Sequence, residues 1–110
     1  MPRVARIVMP EVPHHVTQRG NNREQVFFDD NDRRFYLELL RDNADRFGLT
    51  VWAYCLMPNH VHIVGEPRSE DSLAKAVGRT NFRYAQHINR IRRRTGHLWQ
   101  SRFYSCALDD

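Results

Sequence analysis

The chain has 110 residues, of which 41% are hydrophobic and 27% charged, with a formal net charge of +4. That length leaves room for one self-sufficient core, so residues 1–110 are expected to form a single domain, and the ordinary composition excludes wholesale disorder and a fibrous repeat. No apolar run approaches the roughly 20 residues of a membrane helix, and none follows Met1-Pro2-Arg3 to act as a secretory signal, which makes a cytoplasmic protein the expectation.

The first element in chain order is a strand over His14–Arg19, set between Pro13 and the turn residues Gly20, Asn21 and Asn22. A helix follows over about 32–47, with Asp29, Asp30 or Asn31 as its cap and Gly48 as its stop. Its stripe Phe35, Tyr36, Leu39, Leu40, Ala44 and Phe47 keeps the helical period. Residues 49–57, rich in β-formers, read as a strand that ends at Pro58-Asn59, and 60–66 as its antiparallel hairpin partner. On that partner Val61 and Ile63 share one face, and His60, His62 and Val64 the other.

A second helix begins near 69–72, with Ser69 able to cap it and Glu70 and Asp71 suited to the positive end of its dipole, and it runs toward Gly96. Leu73, Ala76, Val77, Thr80, Tyr84, Ile88 and Ile91 form its apolar stripe; Lys75, Arg79, Arg83, Gln86, Arg90 and Arg93 project from the other side. Residues 98–108 return to strand, with Trp99, Phe103 and Tyr104 supplying bulk. The order β-α-β-β-α-β is α+β and ferredoxin-like: an antiparallel sheet with two helices on one face and the other face open. Such a scaffold hosts many functions and decides none by itself.

Charge is unevenly spread. Between Ser72 and Leu108 there is no Asp or Glu, whereas Lys75, Arg79, Arg83, Arg90, Arg92, Arg93, Arg94 and Arg102 carry eight positive charges. Arginine's planar fork fits phosphate oxygens and stacks on bases, and only one of the 17 basic residues is lysine. A polyanion, nucleic acid foremost, is the expected partner, against the plainer reading of a solvated charged face. Arg19, Lys75, Arg79, Arg83, Arg90, Arg93, Arg94 and Arg102 are the candidate contacts. The two cysteines, Cys55 and Cys106, lack zinc-pair spacing and are too few for a disulfide framework, so they read as buried thiols.

His60-Val61-His62 is the sharpest local feature. Alternate strand residues share a face with Cα atoms about 6.5 to 7 Å apart, close enough for two imidazoles to grip one ion, although two ligands do not close a site and unpaired strand histidines are common. His14 and His15 face opposite sides, so at most one could join that pair, and a structural role is expected for both. Trp99 and Phe103, interleaved with Gln100 and Arg102, could stack on unpaired bases or pack in the core, and His97 reads as a turn residue.

The run Leu56-Met57-Pro58-Asn59-His60-Val61-His62-Ile63-Val64 resembles the His-hydrophobic-His (HUH) signature of single-tyrosine insertion-sequence transposases, in particular the REP-associated branch. Residues 13–21, Val26-Phe27-Phe28 and the segment 96–103 resemble the same branch, so the likeness spans essentially the whole chain. It implies a DNA strand transferase that acts on single-stranded or hairpin-bearing ends. By the same resemblance, His60 and His62 hold a divalent ion, Mg2+ or Mn2+, with a third polar side chain. The ion polarises the scissile phosphate, and a tyrosine hydroxyl attacks to leave a 5′-phosphotyrosine and a free 3′-OH.

In that family the tyrosine sits on a further helix, in a context of the type Tyr-x-x-x-Asn-Pro, with the third ligand one turn beyond. The resemblance therefore places the catalytic tyrosine beyond Asp110, and the expectation is a domain that stops before its tyrosine helix. Tyr84 is the fallback nucleophile, although Tyr36, Tyr54 and Tyr84 all read as core residues and Tyr104 as a strand residue. The competing reading is a non-catalytic module that binds single-stranded RNA or DNA, and a homodimer stays open.

Overall fold

The structure is a computed structural model and describes residues 7–108. Four strands and two long helices alternate as expected: β1 (His14–Arg19), α1 (Asp30–Phe47), β2 (Leu49–Met57), β3 (His60–Pro67), α2 (Ser72–Ile91) and β4 (Tyr104–Ala107). The sheet order is β2-β3-β1-β4 with antiparallel neighbours, so the hairpin β2–β3 lies beside β1 and the last strand closes on β1's other edge.

Capping fixes the helix limits. Asp29 lies outside α1 in extended conformation and accepts from the Asp32 backbone N–H at 2.9 Å, while Gly48, at φ 76°, ends the helix by donating to the Ala44 carbonyl. The α2 start differs from expectation. Ser69 does not cap it through its side chain; the Ser72 hydroxyl instead accepts from the Ser69 N–H at 3.1 Å. The helix also stops at Ile91 rather than running toward Gly96, because Arg93 takes a left-handed φ of 53°.

Alternation on the strands sorts side chains into two layers. Val16, Val61 and Ile63 point under the helices and join Tyr36, Leu40, Leu73, Val77, Tyr84 and Ile88 in one core. A buried polar chain runs through it. Tyr36 Oη donates to Asn81 Oδ1 at 2.6 Å, Asn81 Nδ2 to Gln18 Oε1 at 3.0 Å, and Gln18 Nε2 to the Ser101 carbonyl at 3.0 Å, which ties both helices to β1 and to the segment before β4. That segment corrects the expected strand over 98–108. Only Tyr104–Ala107 is strand, because Leu98, Trp99 and Phe103 turn into the core and the Trp99 indole N–H donates to the Asn81 carbonyl at 2.9 Å. A base-stacking role for Trp99 and Phe103 falls with it.

Two more expectations fail at strand positions. Cys55 and Cys106 are exposed rather than buried, since both lie on the open face of the sheet's outer strands. Tyr54 is 55% exposed, and Trp52, at a register break between Val51 and Ala53, is 61% exposed.

Candidate metal and nucleic-acid site

The open face brings together residues whose partners on alternate positions are buried. His15, Thr17 and Arg19 of β1 face outward because His14, Val16 and Gln18 face the helices, and His60 and His62 of β3 face outward because Val61 and Ile63 do the same. The register sets Thr17 opposite His62 and Arg19 opposite His60 on one side, and Cys55 opposite His62 and Met57 opposite His60 on the other. Thr17 also pairs with Tyr104 of the adjacent β4, so Tyr104, 67% exposed, belongs to the same face.

The His60 and His62 rings are 4.8 Å apart and nearly perpendicular. His62 Nδ1 lies 3.0 Å from His15 Nε2, with Thr17 Oγ1 at 3.5 Å. The His15 and His62 rings are within 5° of parallel with centroids 5.2 Å apart. The nitrogen–nitrogen separation plus the two ring radii accounts for that centroid distance, so the rings lie edge to edge and share an in-plane hydrogen bond. His60 Nδ1 lies 2.8 Å from Asn59 Oδ1. Partial burial, with the charges of His60, His15 and Arg19 adding to it, pushes the His62 pKa below its ordinary value and favours the neutral imidazole a metal needs.

Beside the histidines a groove runs along the sheet end. A cavity of about 280 Å3 is lined by Arg19, Gly20, Arg23, Asn59, His60 and Gln100. Arg19 and Gln100 also line an adjoining one of about 420 Å3 that reaches His15, Thr17, Arg102 and Tyr104. The turn carrying Arg23 is held close by its glycine: Gly20 donates to the Asn59 carbonyl at 2.9 Å, and a Cβ there would meet the Glu24 carbonyl oxygen. A larger cavity, about 540 Å3, lies between α1 and β2 around Leu37, Leu40 and Val51, away from these groups.

The remaining candidates are spread elsewhere. Arg79, Arg83 and Arg90 are exposed on α2, and because α2 covers the helix side of the sheet, they lie on the far side of the molecule from the histidines. Lys75 pairs with Asp71 at 2.9 Å, and Arg94 turns inward to Glu24 at 2.9 Å. Arg93 is exposed at the end of α2. Tyr84 is fully buried on the helix side and donates to the Val26 carbonyl at 2.7 Å, with burial raising its pKa well above the usual phenol value, so it cannot serve as a nucleophile at the histidines. Asp110, and with it the tyrosine expected beyond Asp110, lies outside the described residues, so neither is placed at the site.

His14 is structural: fully buried, with Nδ1 2.7 Å from the Val12 carbonyl and Nε2 accepting from the Met9 N–H at 3.2 Å. His15 is not, since it contacts His62. Alternation from Val16 was the available signal, but only the placement of the helices decides which of the adjacent pair is outward. Asn59, Arg23 and Gln100 were also missed, since loop residues carry no periodicity that would assign them to a face.

A family model described as IS200-like transposase matches residues 9–110. This chain belongs to the IS200-like transposase family. Two solved structures share the family fold. A REP-associated tyrosine transposase bound to a REP hairpin matches with a TM-score of 0.78 at 15% identity, over 100% of this chain and 64% of that one. A candidate transposase from Deinococcus radiodurans R1 matches with a TM-score of 0.69 at 21% identity, over 99% of this chain and 88% of that one. The chain therefore spans a little under two thirds of the length of the REP-associated protein. No curated protein matches.

The donor set suits half of a divalent site. Two imidazoles share a face with their Nδ1 atoms already in hydrogen bonds, and no Nε2 of the pair has a hydrogen-bond partner among the described residues. Among those residues no group of three or more His, Cys, Asp or Glu is arranged to hold a metal.

Proposed function

We propose that this IS200-like domain binds single-stranded, hairpin-bearing DNA across its open sheet face and holds a divalent ion, Mg2+ or Mn2+, through His60 and His62. The observation that carries the reading is their pairing on an open face beside a groove lined by Arg19 and Arg23. A bound divalent ion supplies Lewis-acid polarisation of a phosphoryl oxygen. The chain's own residues do the rest. Arg19 and Arg23 neutralise phosphates along the groove, and Tyr104, exposed at its other end, offers a face for an unpaired base.

In this reading the tyrosine that attacks the phosphate is supplied from outside these 110 residues, as the family resemblance implies for a helix beyond Asp110. Tyr36 and Tyr84 are buried on the far side of the sheet, and Tyr54 points to the helix layer, in register with Ile63. The arginines of α2 form a second basic face, which can take the duplex stem of a hairpin but cannot reach a phosphate held at the histidines. The REP hairpin bound by the structural relative supports this substrate class.

The competing reading, a non-catalytic single-strand binder, is favoured by the exposure of Tyr104 on the same face. Anisotropy with labelled hairpin, single-stranded and random duplex DNA, followed by a denaturing gel in Mn2+, separates them. Tighter binding of the hairpin-bearing strand than of random duplex, weakened by Arg19→Glu, is the expected outcome. Equal affinity for duplex and no effect of Arg19→Glu would remove the proposed face. A covalent adduct formed by these 110 residues alone would show that the nucleophile lies inside them.

A further inference from the structure

Resting on the reading of His60 and His62 as the metal pair, we propose that His15 and Asn59 are positioning residues that hold both imidazoles as Nδ1–H tautomers and leave both Nε2 lone pairs for one divalent ion. A neutral imidazole carries one proton, and the hydrogen bond made by one ring nitrogen decides which nitrogen is left to ligate. At His60 the assignment follows from a relay. Asn59 Nδ2 donates to the Arg23 carbonyl at 3.4 Å, which orients the amide so that Oδ1 faces His60 Nδ1 at 2.8 Å. An amide oxygen only accepts, so the proton sits on His60 Nδ1.

At His62 the partner is His15 Nε2, 3.0 Å away and in the ring plane. With His62 donating from Nδ1, His15 accepts at Nε2 and carries its own proton on Nδ1. Thr17 Oγ1, at 3.5 Å, stands on the same side as a weaker acceptor. The two relays come from different elements, a hairpin turn and a neighbouring strand, and both act on the same ring position. That both contacts fall on Nδ1, leaving Nε2 of each ring without a hydrogen-bond partner among the described residues, is what points to positioning for an ion rather than to incidental surface contacts.

Nitrogen-15 NMR of the metal-free protein reads the tautomers directly. The expected result is Nδ1–H at both His60 and His62; an Nε2–H tautomer at His62, with His15 donating, would overturn the inference. Calorimetry with Mn2+ supplies the second readout. His15→Leu and Asn59→Ala should each weaken binding about 10- to 100-fold, as is typical for outer-shell partners. His15→Gln and Asn59→Asp, which keep an acceptor, should recover most of it, and dispersed amide spectra would show that all four variants fold. If His60→Ala/His62→Ala abolishes Mn2+ binding while His15→Leu and Asn59→Ala bind like the parent, the positioning role is wrong and the metal pair stands. If the double variant binds like the parent, the metal pair itself is wrong.

Discussion

Replacing Tyr36 with Phe removes a single oxygen from the buried chain that runs from α1 through α2 to β1. The ring stays packed, with Phe27 at 5.5 Å and Tyr84 at 5.2 Å between centroids, so no cavity opens. What changes is Asn81 Oδ1, in a residue only 5% exposed, which loses its 2.6 Å donor. Leaving a buried acceptor unpaired costs about 1–3 kcal/mol. In a domain of this size each kcal/mol lowers the melting temperature by about 4–8 °C, so a drop of roughly 5–20 °C is expected. Urea unfolding is the assay: the midpoint should fall while the slope m stays constant, because the native surface is unchanged. Asn81→Ala should cost more, since it strands both the Tyr36 hydroxyl and Gln18 Oε1 and also removes packing atoms. A Tyr36→Phe protein as stable as the parent, or more so, would refute the idea that this chain is a closed, fully paired network.

Arg19→Glu should reduce affinity for a single-stranded oligonucleotide several-fold and flatten its salt dependence by about one phosphate's worth, whereas Arg79→Glu/Arg83→Glu/Arg90→Glu should affect a hairpin stem more than an unpaired strand; anisotropy over a salt series distinguishes them. Tyr84→Phe should destabilise the fold by about 1–2 kcal/mol through the stranded Val26 carbonyl, yet leave untouched any DNA adduct formed by a longer chain, which a denaturing gel would show. The Asp29 carboxylate lies below its ordinary range, chiefly through the Asp32 backbone N–H and further through Arg92, with desolvation working against both. Its stabilising contribution is therefore full well above the ordinary carboxylate value and is lost progressively as pH falls through the lowered folded value; melting temperature plotted against pH should fall less steeply at the acid end in Asp29→Asn, which keeps a cap but cannot titrate. Gly20→Ala should disturb the Arg23 turn, visible as amide shift changes confined to residues 19–26 and 58–60 and as weaker single-strand binding.

Periodicity alone determined the element order, the hairpin and the ferredoxin-like class, because the helical and strand periods are local properties and Gly48 and Pro58 interrupt them locally. The same alternation placed His60 and His62 on one face away from Val61 and Ile63. It could not say that His15 rather than His14 joins them, since two adjacent strand residues are equivalent until the helices choose a side of β1. Nor could it tell the basic side of α2 from the side that carries the histidines: both are polar and outward, and only stacking α2 on the sheet sets Arg79 and His62 on opposite sides of the molecule. The segment 98–103 misled for a related reason. Its aromatics have strand propensity, but Leu98, Trp99 and Phe103 are buried in the core, Trp99 against Tyr36 and Tyr84, and burial of large side chains outweighs the weak preference of an isolated run for strand. Asn59, Arg23 and Gln100 become neighbours of His60 only because the turn after β1, the β2–β3 hairpin and the segment before β4 meet at one end of the sheet, a meeting that depends on chain topology and leaves no trace in local sequence.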